Sequence, residues 1–308
     1  MNDKKAATVR SLLLKYVETT IVITYIKYME RREFLKMASV LPFALNTKEN
    51  EKLPVLFVGH GSPMNAIEDN AFSREWKRLG EEIPKPKAIL CISAHWLTRG
   101  TYVTHMEHPK TIHDFGGFPQ ELFAVQYLAP GSPQWAGKIR DSVTDPEINL
   151  DDDWGLDHGT WSILKHIYPE AKIPVLQLSI DYNQPAQFHY DLGRKLAALR
   201  RQGVLIVGSG NMVHNLRMVA FDRINEKFGF DWALEMDEFC KRNILAGNHQ
   251  PLIDYQKFGK PALLVVPTPD HYYPLLYILG LQEKGEPVTL FNEGAMAGSL
   301  TMTSVKIG

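Results

Sequence analysis

The 308-residue sequence predicts an α/β fold, a single domain with a central mixed sheet flanked by helices on both faces. Three observations predict it. From Leu53 onward, short apolar runs alternate with amphipathic stretches of helical period. Hydrophobic residues make up 44% of the chain and charged residues 22%, an ordinary globular balance that can bury a large core. No internal repeat or low-complexity linker divides the sequence.

The elements follow in order. Residues 54–58, 87–93, 173–179, 203–208 and 262–266 read as buried strands, short and bounded by turn residues. A helix is expected over 70–82, with Phe72, Trp76 and Leu79 at helical spacing. Ser132-Pro133 is a cap-and-first-turn pair that opens a second helix, to about Val143. Gln184-Pro185 opens a third, to about Arg201, with Phe188, Leu192, Leu196 and Leu199 on one face. Residues 231–246 give a fourth. Residues 288–292 and 300–306 read as a hairpin-like pair around Gly294 and Gly298. The stretch 104–160 is poor in strand signal but rich in glycine and aromatic residues, as expected of ordered loops that wall a pocket.

The first 51 residues are expected to be an extension, with the catalytic domain over 52–308. Arg31-Arg32-Glu33-Phe34-Leu35-Lys36 resembles a bacterial twin-arginine export signal. Met29 stands two residues before the arginine pair and is the expected true start. The apolar stretch after the signal is too short to span a bilayer. The expectation is a bacterial protein with no membrane span, either cytoplasmic or exported to the periplasm.

Composition excludes several classes. The net charge of -1 and the lack of a basic stripe argue against a nucleic-acid partner. The two cysteines, Cys91 and Cys240, form no CxxC pair, which excludes a thiolate zinc site and a disulfide framework. Any metal must be held by imidazole or carboxylate.

Histidine placement points to such a metal. His60 follows the apolar run 54–58, His95 the run 88–92, His214 the run 204–207 and His271 the run 262–266. Each run has strand length and ends in a short turn. Ligands of open α/β sheets bind beyond the carboxyl ends of the strands. Four imidazoles delivered to one such edge would form a metal site. The bland alternative for each is a loop histidine bonded to backbone. His214 is either a ligand or a general base.

His158, in Asp157-His158-Gly159-Thr160-Trp161, is suited to hydrogen-bond a substrate oxygen, and Thr160 to cap the helix that follows. His113 is expected in the pocket, with Phe115, Phe118 and Trp154 as apolar walls. His105, His108, His166, His189 and His249 read as surface or satisfied core residues. Gly59-His60-Gly61-Ser62-Pro63 lacks the spacing of a phosphate loop. Neither Ser62 nor Ser209 lies in a nucleophile elbow.

Six ordered motifs, GHGSPMNAI, SAHW, HDFGGFP, GLDHGTW, GSGNMVHNLR and PTPDHYYP, run from Pro54 toward the C-terminus. Together they resemble the 4,5-DOPA extradiol dioxygenase family, within the class III, LigB-like ring-cleavage superfamily. The resemblance implies a LigB-like α/β fold around one divalent metal per chain, Zn2+ or Fe2+. It implies ligation by His60, His95 and His271, with His214 as acid/base or further zinc ligand and His158 as a substrate contact. The substrates it implies are a small-molecule catechol such as DOPA and O2. His271 stands where the wider superfamily has a carboxylate, a substitution shared by the DOPA-dioxygenase group. In the implied reaction His214 takes a proton from a catechol hydroxyl and later returns it, while His158 hydrogen-bonds the developing charge. Two rivals share the scaffold: a zinc-dependent hydrolase and a non-catalytic LigB-like binding protein.

Overall fold

A computed structural model describes residues 52–224 and 226–308. The twin-arginine-like segment and the expected start at Met29 lie outside the described residues. In chain order the main elements are β1 (Val55–Gly59), α1 (Ala71–Glu82), β2 (Ala88–Thr98), β3 (Thr101–Thr104), α2 (Pro133–Asp141), β4 (Ile148–Asp151) and α3 (His158–Ile167). There follow β5 (Val175–Asp181), α4 (Ala186–Leu196), β6 (Val204–Gly210), α5 (Asp231–Leu245), α6 (Lys260–Val265) and α7 (Tyr273–Gly280). The last strands are β7 (Val288–Phe291), β8 (Ala295–Met296), β9 (Leu300–Thr301) and β10 (Ser304–Ile307).

Eight strands form one mixed sheet in the order β4-β3-β5-β2-β6-β1-β10-β7. The centre, β5-β2-β6-β1, is parallel, so the carboxyl ends of these strands share one edge. Antiparallel pairings at β3–β5, β1–β10 and β10–β7 flank it. Alternation along each strand feeds two cores. Val55 and Phe57 pack on one face, with α4, α5 and α7. Leu56 and Val58 pack on the other, against Trp76 and Leu79 of α1 and Trp161 and Leu164 of α3. Both faces are therefore covered by helices, as expected of a buried parallel centre.

Helix starts follow the local chemistry. The Asn70 side chain caps α1, accepting from Phe72 N and Ser73 N. Ser132 caps α2 by accepting from Trp135 N, with Pro133 in the first turn. Helix α3 is capped by Asp157, which accepts from Thr160 N; Thr160, expected to be the cap, lies inside the first turn. Its hydroxyl is fully buried, whereas Asp157, in extended backbone one residue before the helix, presents its carboxylate to an orphan N–H of the first turn.

The expected strand at 262–266 is a helix. Pro261 occupies its first turn and Gly259, at φ 93°, turns the chain into it. A short apolar run does not distinguish a buried strand from a buried helix, and Pro at this position favours the helix. The expected terminal hairpin exists as β7 and β10, but Leu300 and Thr301 leave it to pair with β8. The stretch 104–160 holds the expected helix α2 and conceals the edge strand β4. Among the described residues no helix is long and apolar enough to cross a membrane.

Candidate metal centre

The carboxyl edge of β1, β2 and β6 gathers five imidazoles. His60 leaves β1 directly, and its N–H donates to Gly210 O at the end of β6. The close approach requires Gly59, where a Cβ would sit 2.7 Å from Met302 O. His95 lies within β2, where the pairing with β5 is irregular between Ile92 and Leu97. Such an irregularity re-aims a side chain. His158 opens α3. His214 follows β6 across a short turn and is tied by its N–H to Val265 O. His271 arrives on the loop between α6 and α7, not from a strand.

His60 Nε2 and His95 Nε2 face each other at 3.1 Å. Ring centroids of His60 and His271 are 5.3 Å apart, those of His95 and His271 5.0 Å, and those of His95 and His158 3.9 Å. His214 stacks on His271. One nitrogen each from His60, His95 and His158 falls within 4.8 Å of the others. Ligating atoms of His214, Asp270 and His271 make a second such group. The resemblance assigned His158 to substrate, yet its ring is as close to the His60–His95 pair as His271 is.

The donor set fits a divalent metal. Tetrahedral nitrogen ligands about 2.0–2.1 Å from zinc stand roughly 3.3 Å apart, close to the separation of His60 and His95. The rings are also held by their far nitrogens. Ser209 Oγ donates to Gly159 O, so at 3.0 Å it accepts from His60 Nδ1–H. Asp270 Oδ2 lies 2.5 Å from His271 Nδ1 and accepts its proton. Both bonds leave Nε2 as a bare lone pair, the tautomer a metal needs. Asp114 serves two rings: Oδ2 lies 3.4 Å from His95 Nδ1 and 2.9 Å from His158 Nδ1, the latter outside hydrogen-bond geometry. Its Oδ1 accepts from His158 N–H.

Electrostatics favour neutral rings. Burial, then the other histidines, holds His60 and His271 well below the usual histidine range. Burial, then His158, lowers His95 to about 4, and burial lowers His214 to about 4. Burial pushes the Asp114 carboxyl up, but the bond and charge of His158 and the charge of His95 outweigh it, and the net shift is down. Neutral imidazoles beside an ionised carboxylate form a cation site.

The centre closes the inner end of a cavity of about 600 Å³. Phe115 and Phe118 line it, as expected. His113 does not: its Nε2 donates to Val125 O at 2.9 Å, and its ring packs behind Phe115 against Phe123 and Trp161. Trp154 is also absent from the wall, stacked on Trp96 at 5.7 Å. Both rings find better burial among other aromatics. His105, His166, His189 and His249 are bonded to Asp152, Asn65 O, Tyr277 and Tyr190, and His108 is exposed.

Asp114 and Asp270 were not singled out from sequence, and Ser209 was weighed there only as a nucleophile. A carboxylate beside a histidine, in His113-Asp114 and Asp270-His271, was the available signal. The further lining residues Leu216, Val219, Phe221 and Ile224 gave none, because apolar residues in an irregular segment carry no period.

Residues 54–293 match the family described as the catalytic LigB subunit of aromatic ring-opening dioxygenase. The chain belongs to the LigB family. Two similar proteins are named 4,5-DOPA dioxygenase extradiol. The one from Escherichia coli K12 is 48% identical over 83% of this chain and 95% of its own length. The one from Beta vulgaris is 35% identical over 85% and 98%. The crystal structure of an uncharacterized Escherichia coli K12 protein superposes with a TM-score of 0.73 at 45% identity, covering 83% of this chain and all of that one. As a LigB member this chain is an extradiol ring-opening dioxygenase, an oxidoreductase with an α/β fold and a histidine cluster able to bind a metal.

Proposed function

We propose that residues 52–308 form one catalytic domain that opens a catechol such as DOPA with O2 at a mononuclear centre. His60, His95 and His271 hold the metal, Zn2+ or Fe2+; His214 moves the proton and His158 contacts the substrate. The observation that carries this is the 3.1 Å approach of His60 Nε2 to His95 Nε2 at the closed end of an aromatic-walled cavity. When bound, the metal supplies the Lewis-acid charge that holds a catecholate and, as Fe2+, the redox chemistry that O2 requires.

The chain's own groups do the rest. Phe115 and Phe118 offer ring faces to the aromatic substrate and exclude water from it. His214 is neutral at physiological pH, so its ring nitrogen can accept a catechol proton and later return it. His158, braced by Asp114, is set to hydrogen-bond a substrate oxygen as charge builds on it. Asp270 and Ser209 keep the His271 and His60 rings from turning.

The test is anaerobic reconstitution with Fe2+ or Zn2+, followed by O2 uptake and yellow-product formation across a catechol panel. Stoichiometric O2 uptake is expected with at least one metal. Tight zinc with no O2 consumed on any catechol would overturn the reading in favour of a hydrolase. We also read residues 1–51 as an extension with a twin-arginine signal. Cell fractionation of the wild type beside an Arg31→Lys/Arg32→Lys variant tests it, with loss of periplasmic protein in the variant as the expected result.

A further inference from the structure

The cavity is larger than its chemistry needs. At about 600 Å³ it has room for more than a single catechol ring beside the histidines. Its two ends differ. The inner end is imidazole and Asp114. The lining nearer the surface is apolar, contributed by Phe115 and Phe118 from one segment and Leu216, Val219, Phe221 and Ile224 from another.

Charge is missing where an amino-acid substrate would need it. Among the described residues lining the cavity there is no lysine or arginine, and Asp114 is the only carboxylate. Asp114 is already engaged by His95 and His158. Arg217 and Arg223 neighbour the wall in sequence, but both are exposed and neither lines the cavity. Arg223 is held by Glu226 and lies over the Phe228 ring. A substrate carboxylate at this end would meet apolar side chains and no cation, so it would gain no charge partner for whatever water it gave up.

The apolar wall is itself left exposed. Phe221 is 74% accessible and Leu216 57%. Large side chains in this state, gathered at the mouth of a pocket, mark a surface that gains by being covered. The segment with the two phenylalanines carries Gly116 and Gly117 between them, and a Cβ at either would touch nothing within 4 Å, so space beside Phe115 and Phe118 is open to a substituent.

We propose that the outer half of the cavity selects catechols bearing an uncharged apolar substituent, an alkyl or aryl group on the ring, over catechols bearing an amino-acid side chain. Phe221 and Leu216 are the specificity-determining residues. The inference rests on the reading of this cavity as the catechol site, and names the substrate class within it.

Binding and turnover together test it. Dissociation constants of 4-n-butylcatechol and L-DOPA are measured by calorimetry on metal-loaded protein, wild type and Phe221→Ser/Leu216→Ser. Each buried methylene is worth roughly fourfold in affinity. Butylcatechol is expected to bind the wild type at least tenfold more tightly than DOPA, and the double variant to lose most of that preference. Equal or tighter binding of DOPA overturns the proposal, and so does a preference that survives the double substitution. O2 uptake with the same two compounds separates the two claims. A butylcatechol preference without oxygen consumption overturns the dioxygenase reading of the site and leaves the selectivity standing. Turnover of DOPA at equal or better kcat/KM does the reverse.

Discussion

The imidazoles of His214 and His271 lie face to face, their centroids 3.5 Å apart and their planes 5° from parallel. Two protonated rings could not be held so. Burial keeps both neutral, His214 at about 4 and His271 well below its ordinary value. The stack makes His271 a floor on which the His214 ring rests, with one ring nitrogen of each near Asp270. A ring held this way can face either the metal or the substrate.

His214→Ala separates those roles. As acid/base, its loss lowers kcat by about 10²–10⁴-fold while bound metal stays near one per chain. Single-turnover rates with metal content on the same samples are the measurement. Metal lost in proportion to activity would make His214 a ligand.

Asp270→Asn tests the brace on His271. The carboxylate fixes which nitrogen of the ring carries the proton. An amide can present its NH2 instead and allow the other tautomer. Removing such a partner typically weakens metal affinity by about 10–100-fold. Competition with a chelator should register that drop with the melting temperature little changed, since Asp270 is partly exposed on a loop. Unaltered affinity would mean His271 is not held through Asp270.

Much of this centre was legible in the chain, for a physical reason. Side chains at strand ends come with an apolar run and a turn, so the delivery of His60, His95 and His214 to one sheet edge could be read from the chain. His271 was found for a partly wrong reason: its run, 262–266, is helical, and the residue arrives on a loop. His113 was misjudged because a histidine amid phenylalanines looks the same whether it faces the cavity or packs behind it. The edge strand β4 was hidden because Ile148–Asp151 has one buried position, too few for an alternation to show. Asp114 required knowledge that residues 95, 114 and 158 meet, which only the folded chain supplies.

Gly159→Ala should disable the site from behind. A Cβ there would stand 2.5 Å from Ser93 Oγ and 2.8 Å from His95 Cδ2. Neither can move freely. Ser93 donates to Asp157, which caps α3 and accepts from Gln177, while His95 faces His60 across 3.1 Å. The methyl must push the His95 ring or the start of α3, which carries His158. We expect loss of metal affinity and at least a tenfold drop in kcat, because misplacement of about 1 Å costs as much as 10²-fold. A variant with native metal content and rate would show that the helix start can shift without the ring.

The acid limb of stability should depend on a pair remote from the histidines. Arg200 is fully buried, bonded to Leu53 O and Leu281 O, and joined to both oxygens of Glu286 at 2.5 and 2.8 Å. Burial pushes the Glu286 carboxyl up, but Arg200 and Lys52 outweigh it and hold it at about 2, against an ordinary 4.5. A depressed carboxylate adds stability that is complete above its unfolded value and lost as pH falls through its folded one. The Glu286 contribution is therefore full above about 4.5 and drains away toward about 2. Glu286→Gln leaves the Arg200 charge buried without its partner, and breaking such a pair typically costs about 3–5 kcal/mol. Urea denaturation at pH 7 should give that loss, and the gap between variant and wild type should narrow as pH is lowered from 4.5. A gap that stayed constant across this range would mean that the carboxylate charge is not what stabilises Arg200.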